Sequence, residues 1–520
     1  MTAWDIVIVG AGSAGCTLAA RLSEDPKRRV LLLEAGGPSA GLRGRIPAAF
    51  PRLFRSRHDW ALQTEPEPGM DHRHLYWPAG KMVGGSGGMN AMLWVRGQRQ
   101  DYDGWHDAGC TGWGWDDVLP AFRQIEDHIG ITGDHLGRGG PMPVAPLRHV
   151  SPLTSACVAA AAEAGIPTLA DLNTPTPDGF GLLHVTQHNG ERASAATTYL
   201  AAARGRPNLT IRSGARVNRV VLVEGRAVGV AVESNGGEET IPAGEVVLSA
   251  GAVHSPQLLM LSGIGQAHHL EQFGISTRAE LAGVGHNLQD HLAVGIGHEC
   301  TLRISLSGAE TPWHLAQWLL RRRGPLTSTV AEAAGFIRSS AEVPTPDLEL
   351  VFAPTFFLDH GFQNPPGHGF TIAVVLLRPR STGRVSLRSD NPHVPPAIQA
   401  RYLSEPDDRD RLLTGLEMCR KVAASPALAP WRGPERIPGP AVTGPEGLTA
   451  HIRATGQTLY HPVGTCAMGT GPGAVVGPDL RVHGVEGLRV VDASVMPRII
   501  SGHTNAPTIM IAERAAAMMS

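Results

Sequence analysis

Trp4-Asp5-Ile6-Val7-Ile8-Val9-Gly10-Ala11-Gly12-Ser13-Ala14-Gly15 opens the chain, and a second apolar run, Val30-Leu31-Leu32-Leu33, ends on Glu34. The pattern predicts strand, tight turn, helix and second strand, with Gly10, Gly12 and Gly15 where a Cβ would block a pyrophosphate or the packing of helix on strand. Amides at the helix N-terminus would face the phosphates. Glu34 follows Gly15 by 19 residues, close to the roughly 20-residue spacing at which an acid hydrogen-bonds a ribose 2′-hydroxyl. An acid there repels a 2′-phosphate, which disfavours NADP. The plain alternative, a glycine-rich turn without a ligand, does not account for strand, helix and acid together.

This fingerprint leaves FAD and NAD open. The sequence holds no second such unit and no Cys-x-x-Cys pair, which favours a flavin reduced directly by its substrate. At 520 residues, 42% hydrophobic and 18% charged, the chain is long enough for two or more cores, since single cores stop growing near ~250–300 residues. A net charge of −2 gives no electrostatic footprint for nucleic acid. The six cysteines, at positions 16, 110, 157, 300, 419 and 466, lack metal-ligand or disulfide-framework spacing, so reduced thiols in a cytoplasm are expected and no metal. A first strand at Trp4 leaves no room for a signal peptide, and no apolar run approaches the ~18 residues of a membrane span. A soluble cytoplasmic enzyme is the expectation.

Sixty-three glycines and 41 prolines punctuate many short elements. Helical periodicity marks Ala14 to Leu22 and Thr508 to Met519. Val217 to Val232, divided by Gly225, reads as a hairpin, with a further strand at Glu245 to Ser249. Leu348-Glu349-Leu350-Val351-Phe352 and Phe370 to Leu377 read as strands of a larger sheet on the substrate side. Trp313 to Arg323 ends in Leu319-Leu320-Arg321-Arg322-Arg323. It reads either as a basic amphipathic helix that docks on a membrane or partner, or more simply as a solvated helix end whose cations suit the dipole.

Four further tracts carry chemistry. Gly80 to Asn90 places Gly84, Gly85, Gly87 and Gly88 around Ser86, which suits backbone lying close to a planar ligand better than a solvent loop, because Met82, Val83 and Met89 interleave. Gly251 to Gly265 reads as a helix with Pro256 in its first turn and Gly263 at its stop, by itself structural. Leu459 to Gly469 contains His461-Pro462, and Val490 to Thr508 contains Asp492, His503 and Asn505. Most of the 23 histidines must be surface or satisfied core residues, but glycine- and proline-fixed loops single out His461 and His503.

Together and in this order, the fingerprint and the four tracts, spanning residues 4 to 513, resemble the glucose-methanol-choline family of FAD-dependent oxidoreductases. The tract through Asp103 is similar to that family's first signature and Gly251 to Gly265 to its second. The resemblance implies an α/β fold: a Rossmann-like FAD-binding domain from residues 1–155, 195–305 and 455–520, and a substrate domain on an antiparallel sheet flanked by helices, from 156–194 and 306–454. It implies that Gly10, Gly12, Gly15 and Glu34 hold the ADP half, with Val217 meeting the adenine through its backbone. Gly84, Gly85, Asn90 and Ala91 would line the flavin, and Asp492, Asn505 and Thr508 would bind toward the ribityl chain and ring. His461 matches the candidate general base; His503 falls where relatives place histidine or asparagine.

The implied chemistry is oxidation of an alcohol carbon, with a hydride passing to flavin N5 and the hydroxyl proton to an imidazole near its reference pKa of ~6.5. His503 would hold the substrate oxygen, and the electrons would pass to oxygen or another acceptor. Relatives that attach FAD covalently carry a histidine just before the flavin-facing asparagine; Met89 stands there, so noncovalent FAD is expected. The stretches Phe352 to Gly361 and Arg378 to Gly383 resemble members acting on primary alcohols, choline included. No convincing set of aromatic and acidic residues cages a quaternary ammonium, and Phe356, Phe357 and Trp318 read equally as core. A neutral primary alcohol is the expected substrate class. The alternatives are choline dehydrogenation, a cyanohydrin lyase with a redox-silent flavin on the same scaffold, a decarboxylating relative whose carboxylate anchor is not found, and a non-enzymatic FAD-binding module.

Overall fold

A computed structural model describes residues 4–175, 177–234, 237–363 and 365–520. Strand β1 (Trp4–Val9) leads into helix α1 (Ser13–Leu22) and strand β2 (Val30–Glu34). β2 is buried along its whole length, as a strand covered on both faces of a parallel sheet must be. With β3 (Leu209–Ser213) and the second half of β6 (Gly237–Leu248), these strands pair in parallel in the order β3–β2–β1–β6. A late strand, Leu488–Val490, pairs with the far side of β6. The first half of β6 continues antiparallel into β5 (Arg226–Ser234) and β4 (Val217–Val223). Glu224 and Gly225 both have positive φ at the β4–β5 turn, the conformation a two-residue hairpin favours.

Helix α2 (Gly251–Leu261) follows β6, with Pro256 inside it rather than in its first turn, as the sequence suggests. Proline removes the amide that would bond the carbonyl four residues back. That carbonyl, of Ala252, accepts a hydrogen bond from Thr465 Oγ1 at 2.6 Å instead.

The second sheet is antiparallel, built from β7 (Leu292–Cys300), β8 (Ala333–Ile337), β9 (Leu348–Ala353), β10 (Gly369–Leu376) and β11 (Arg432–Ile437), in the order β8–β9–β10–β7–β11. Residues Gln457 and Thr458 also pair with β7. β7 thus belongs to this sheet although it lies within the 195–305 stretch assigned by sequence to the flavin unit. Helix α3 (Pro406–Ala424) packs on β10 so closely that a Cβ on Gly415 would come 2.2 Å from Val374 Cγ2. The opposite face, with Val351, Ala373 and Val375, lines a cavity shared with the nucleotide sheet, and the closing helix α4 (Asn505–Met518) returns to pack on α1. Among the described residues, no helix is long and apolar enough to cross a membrane.

Candidate active site

The carboxyl ends of β1, β2 and β6 point at one cavity of about 770 Å³ lined by Gly10, Glu34 and Ser249, the place where ligands sit in open α/β sheets. The N-termini of α1, α2 and α4 converge there through Gly12 and Ser13, Gly251 and Ala252, and Asn505 and Thr508. Three helix ends directing partial positive charge into one space make a site for an anion.

The three fingerprint glycines have different reasons. A Cβ on Gly10, where φ is +100°, would lie 2.5 Å from Ser249 O, and one on Gly15 would lie 1.9 Å from Gly10 O, so the fold itself requires both. Gly12 has φ −74°, and an added Cβ would find no protein atom closer than 4.0 Å. No protein neighbour excludes a side chain at Gly12; a pyrophosphate against the turn would. Glu34 accepts hydrogen bonds from the amides of Ala11 at 2.9 Å and Gly36 at 2.8 Å, so it also shapes the turn. Each of its oxygens keeps a lone pair for a ribose hydroxyl. Burial raises its pKa, opposed by those two amides.

The glycine tract forms a short 3-10 turn, Gly85–Gly88. Gly85, Asn90 and Ala91 line the cavity, as does Val217. Gly84 and Gly15 stand one layer back; Gly84 N donates to Ala11 O at 2.7 Å and so couples the tract to the fingerprint. A Cβ on Gly85 would come 2.7 Å from Gly12 Cα. Asn505 Oδ1 accepts from Ser13 Oγ at 2.6 Å, and Thr508 Oγ1 donates back to Thr504 O. Asp492 lines the cavity, but its carboxylate is fully engaged: one oxygen accepts from Gly251 N and Ser255 Oγ, the other from Ser494 N and Oγ. It therefore faces a ligand through its main chain.

His461 and His503 meet at the far end, their rings 5.0 Å apart and edge to face. Behind them stand two residues the sequence did not single out. His291 Nδ1 lies 2.9 Å from His461 Nδ1, and its Nε2 lies 3.1 Å from Leu377 O. Burial, then the charge of His503, pushes the His291 pKa down to about 3, so its ring is neutral at pH 7. Its single proton sits on Nε2, which faces a carbonyl; its Nδ1 must therefore accept, and His461 Nδ1 must donate. This leaves the lone pair of His461 on Nε2, which makes no hydrogen bond to the protein among the described residues. The His461 pKa is held well below 6.5 by burial, then by the charges of His503 and His291, which corrects the expectation of a pKa near the reference value. The main chain of His461 is fixed by Asp290 Oδ1, which accepts from its amide at 2.8 Å, while Asp290 Oδ2 accepts from the Tyr402 hydroxyl.

Glu349, fully buried on β9, is the other residue missed. Its Oε1 lies 2.9 Å from His503 Nε2, and its Oε2 has no hydrogen-bond partner. Residues 349, 351 and 353 share one face of the strand, and Val351 and Ala353 line the cavity. A carboxylate amid an apolar strand is the signal that could have found it. Arg192 was missed as well. It is buried, donates to Asn90 Oδ1 at 2.7 Å, leaves Nη2 unpartnered, and has its pKa lowered to about 9 by burial. A cation thus stands behind the glycine tract.

Phe50, Phe54, Phe357 and Tyr460 wall this end, with Phe54 and Tyr460 5.6 Å apart and Phe50 and Phe357 6.1 Å apart. Phe357 is therefore a cavity residue, whereas Trp318 and Phe356 are core. A cavity lined by three helix N-termini, a glycine tract, a histidine pair and an aromatic wall fits a dinucleotide whose reactive ring meets a small substrate. Known proteins agree. GMC oxidoreductase family models match residues 4–293 and 379–512. An alcohol dehydrogenase [acceptor] from Pseudomonas putida is 42% identical over 99% of this chain and 95% of its own. Human mitochondrial choline dehydrogenase is 43% identical over 99% and 89%. The structure of pyridoxine 4-oxidase from Mesorbium loti superposes with a TM-score of 0.91 at 35% identity, covering 99% of this chain and 98% of that one. The chain belongs to the GMC oxidoreductase family. It is an FAD-dependent alcohol oxidoreductase, with the mixed α/β fold the sequence implied.

Proposed function

We propose that this enzyme oxidises a neutral primary alcohol to an aldehyde, with His461 as general base and His503 as the second partner of the substrate oxygen. The observation that carries the reading is the fixed tautomer of His461: its free Nε2 lone pair, supported from behind by His291 Nδ1 at 2.9 Å, belongs to a ring that is neutral at pH 7. Nε2 takes the hydroxyl proton as the carbon gives up its hydride. Bound FAD supplies the hydride acceptor, held noncovalently because Met89 offers no ring nitrogen. His503, oriented by Glu349, keeps the oxygen in place. Gly10, Gly12, Glu34, Val217 and the end of α1 hold the ADP half and the pyrophosphate, while Gly85, Asn90, Ala91, the main chain at Asp492, Asn505 and Thr508 cradle the ring and ribityl chain. Gly15 and Gly84 hold that cradle in shape.

A neutral substrate fits better than a quaternary ammonium. Three carboxylates line the cavity, those of Glu34, Asp359 and Asp492. Glu34 belongs to the fingerprint end, Asp492 is fully bonded, and Asp359 lies in the field of Arg73. A cation beside the aromatic wall would meet Asp359 alone, with the charge of Arg73 opposing it. The electrons then pass to oxygen or another acceptor. Six free thiols support a reducing compartment, the cytoplasm. Anaerobic addition of a panel of primary alcohols should bleach the oxidised flavin, aliphatic and aromatic alcohols ahead of choline. A cyanohydrin cleaved without bleaching, or choline ahead of every neutral alcohol, overturns the reading.

A further inference from the structure

The segment Pro312–Arg321 forms a helix whose apolar side faces outward. Its one fully buried side chain is Trp318, which packs with Ile46 and Leu326 and donates its indole N–H to Gly190 O at 2.8 Å. At 100° per residue, Trp313 and Leu320 lie opposite Trp318 and Leu319 on the flank between, exposed by 73%, 84% and 46%. Such a face is the reverse of what a helix on a water-soluble surface presents.

The charges beside it have one sign. Arg321, Arg322 and Arg323 close the helix, and the neighbouring turn Gly41–Arg45 brings Arg43, Arg45 and the 46% exposed Leu42. Arg45 and Arg322 share Glu191, at 2.6 and 3.1 Å, which ties turn and helix into one patch. Five arginines and one glutamate leave a net charge of four positive. Arg43, Arg321 and Arg323 have no ion pair among the described residues.

We propose that this patch docks the protein on an anionic phospholipid bilayer. Trp313, Leu319 and Leu320 enter the headgroup boundary and the arginines meet lipid phosphates. A second copy across a two-fold axis fits worse, because it would set arginine cluster against arginine cluster. The patch is also one layer from the active site. The turn after Ile46, Pro47–Leu53, carries Phe50 into the cavity wall. The proposal does not depend on the substrate assignment.

The test is cosedimentation of the FAD-loaded protein with vesicles of phosphatidylcholine alone and of equimolar phosphatidylcholine and phosphatidylglycerol, at low and high salt. We expect binding to the anionic vesicles that weakens with salt, and at least tenfold less to the neutral ones. Arg321→Glu/Arg323→Glu should lower partitioning by roughly tenfold or more, since each basic residue near an anionic surface contributes measurably, and Trp313→Ser/Leu320→Ser should abolish it. All four side chains are exposed, so flavin content and melting temperature should stay unchanged in both variants. Wild-type protein left in the supernatant, equal binding to both vesicle types, or a solution dimer that Trp313→Ser/Leu320→Ser dissociates would overturn the proposal.

Discussion

Nδ1 of His291 and Nδ1 of His461 face each other at 2.9 Å, and only one proton can lie between them. Because Leu377 O claims the proton of His291 at Nε2, the one between the rings belongs to His461. A residue outside the cavity lining thereby decides which nitrogen of the base is free. Replacing it tests this. His291→Leu should slow anaerobic flavin reduction about 10–100-fold, by analogy with the loss of a partner that orients a metal-bound histidine. His291→Gln, which can still accept at that position, should recover part of the rate. Stopped-flow reduction at equal flavin content distinguishes these from a folding defect.

The pH dependence of wild-type reduction follows from His461. The competent form is neutral, and burial keeps its pKa well below 6.5. Reduction should therefore stay flat as pH falls from 8 through 6.5 and decline only at lower pH. A decline centred near 6.5, where free imidazole titrates, would contradict the burial argument. His461→Ala should cost ~10²–10⁴ in rate with FAD retained.

Glu349 acts through His503, across 2.9 Å. His503→Ala should slow reduction more than His503→Asn, which still hydrogen-bonds the substrate oxygen. Adding Glu349→Gln to His503→Ala should then cost little more, whereas Glu349→Gln alone should be clearly slower than wild type. Rate losses that simply add in this double-mutant cycle would mean the two residues work independently.

Gly12 and Gly15 separate binding from folding. Gly15→Ala drives a Cβ to 1.9 Å from Gly10 O and should lower the melting temperature of the FAD-free protein sharply. Gly12→Ala meets open space and should change apoprotein stability by about 1 kcal/mol at most, the scale of an N-cap substitution, yet prevent FAD retention on dialysis. Paired melting curves and flavin absorbance check both.

Acid or heat denaturation should release all the flavin to the supernatant, since Met89 precedes Asn90. Yellow colour left in the washed pellet would show a covalent bond.

What could be read from the sequence was local. A strand, turn and helix within residues 4–22, and the Glu224-Gly225 hairpin, each depend on neighbours a few positions away. His461 and His503 were legible because glycine and proline stiffen their loops. Glu349 and His291 were not, because their partners lie 154 and 170 residues away and only strand pairing brings them together. The start of α2 was misjudged for the same reason: Pro256 is tolerated inside the helix because Thr465, 213 residues from Ala252 in sequence, takes up the carbonyl left free.

The hydrogen bond from Ser13 to Asn505 joins positions 492 residues apart. It places the last helix beside the first as part of one wall. A ribosome that has already released the fingerprint must still deliver nearly the whole chain before that wall exists. The wall of the nucleotide site is therefore complete only when the last helix is made, and a chain ending before Asn505 lacks that side of it.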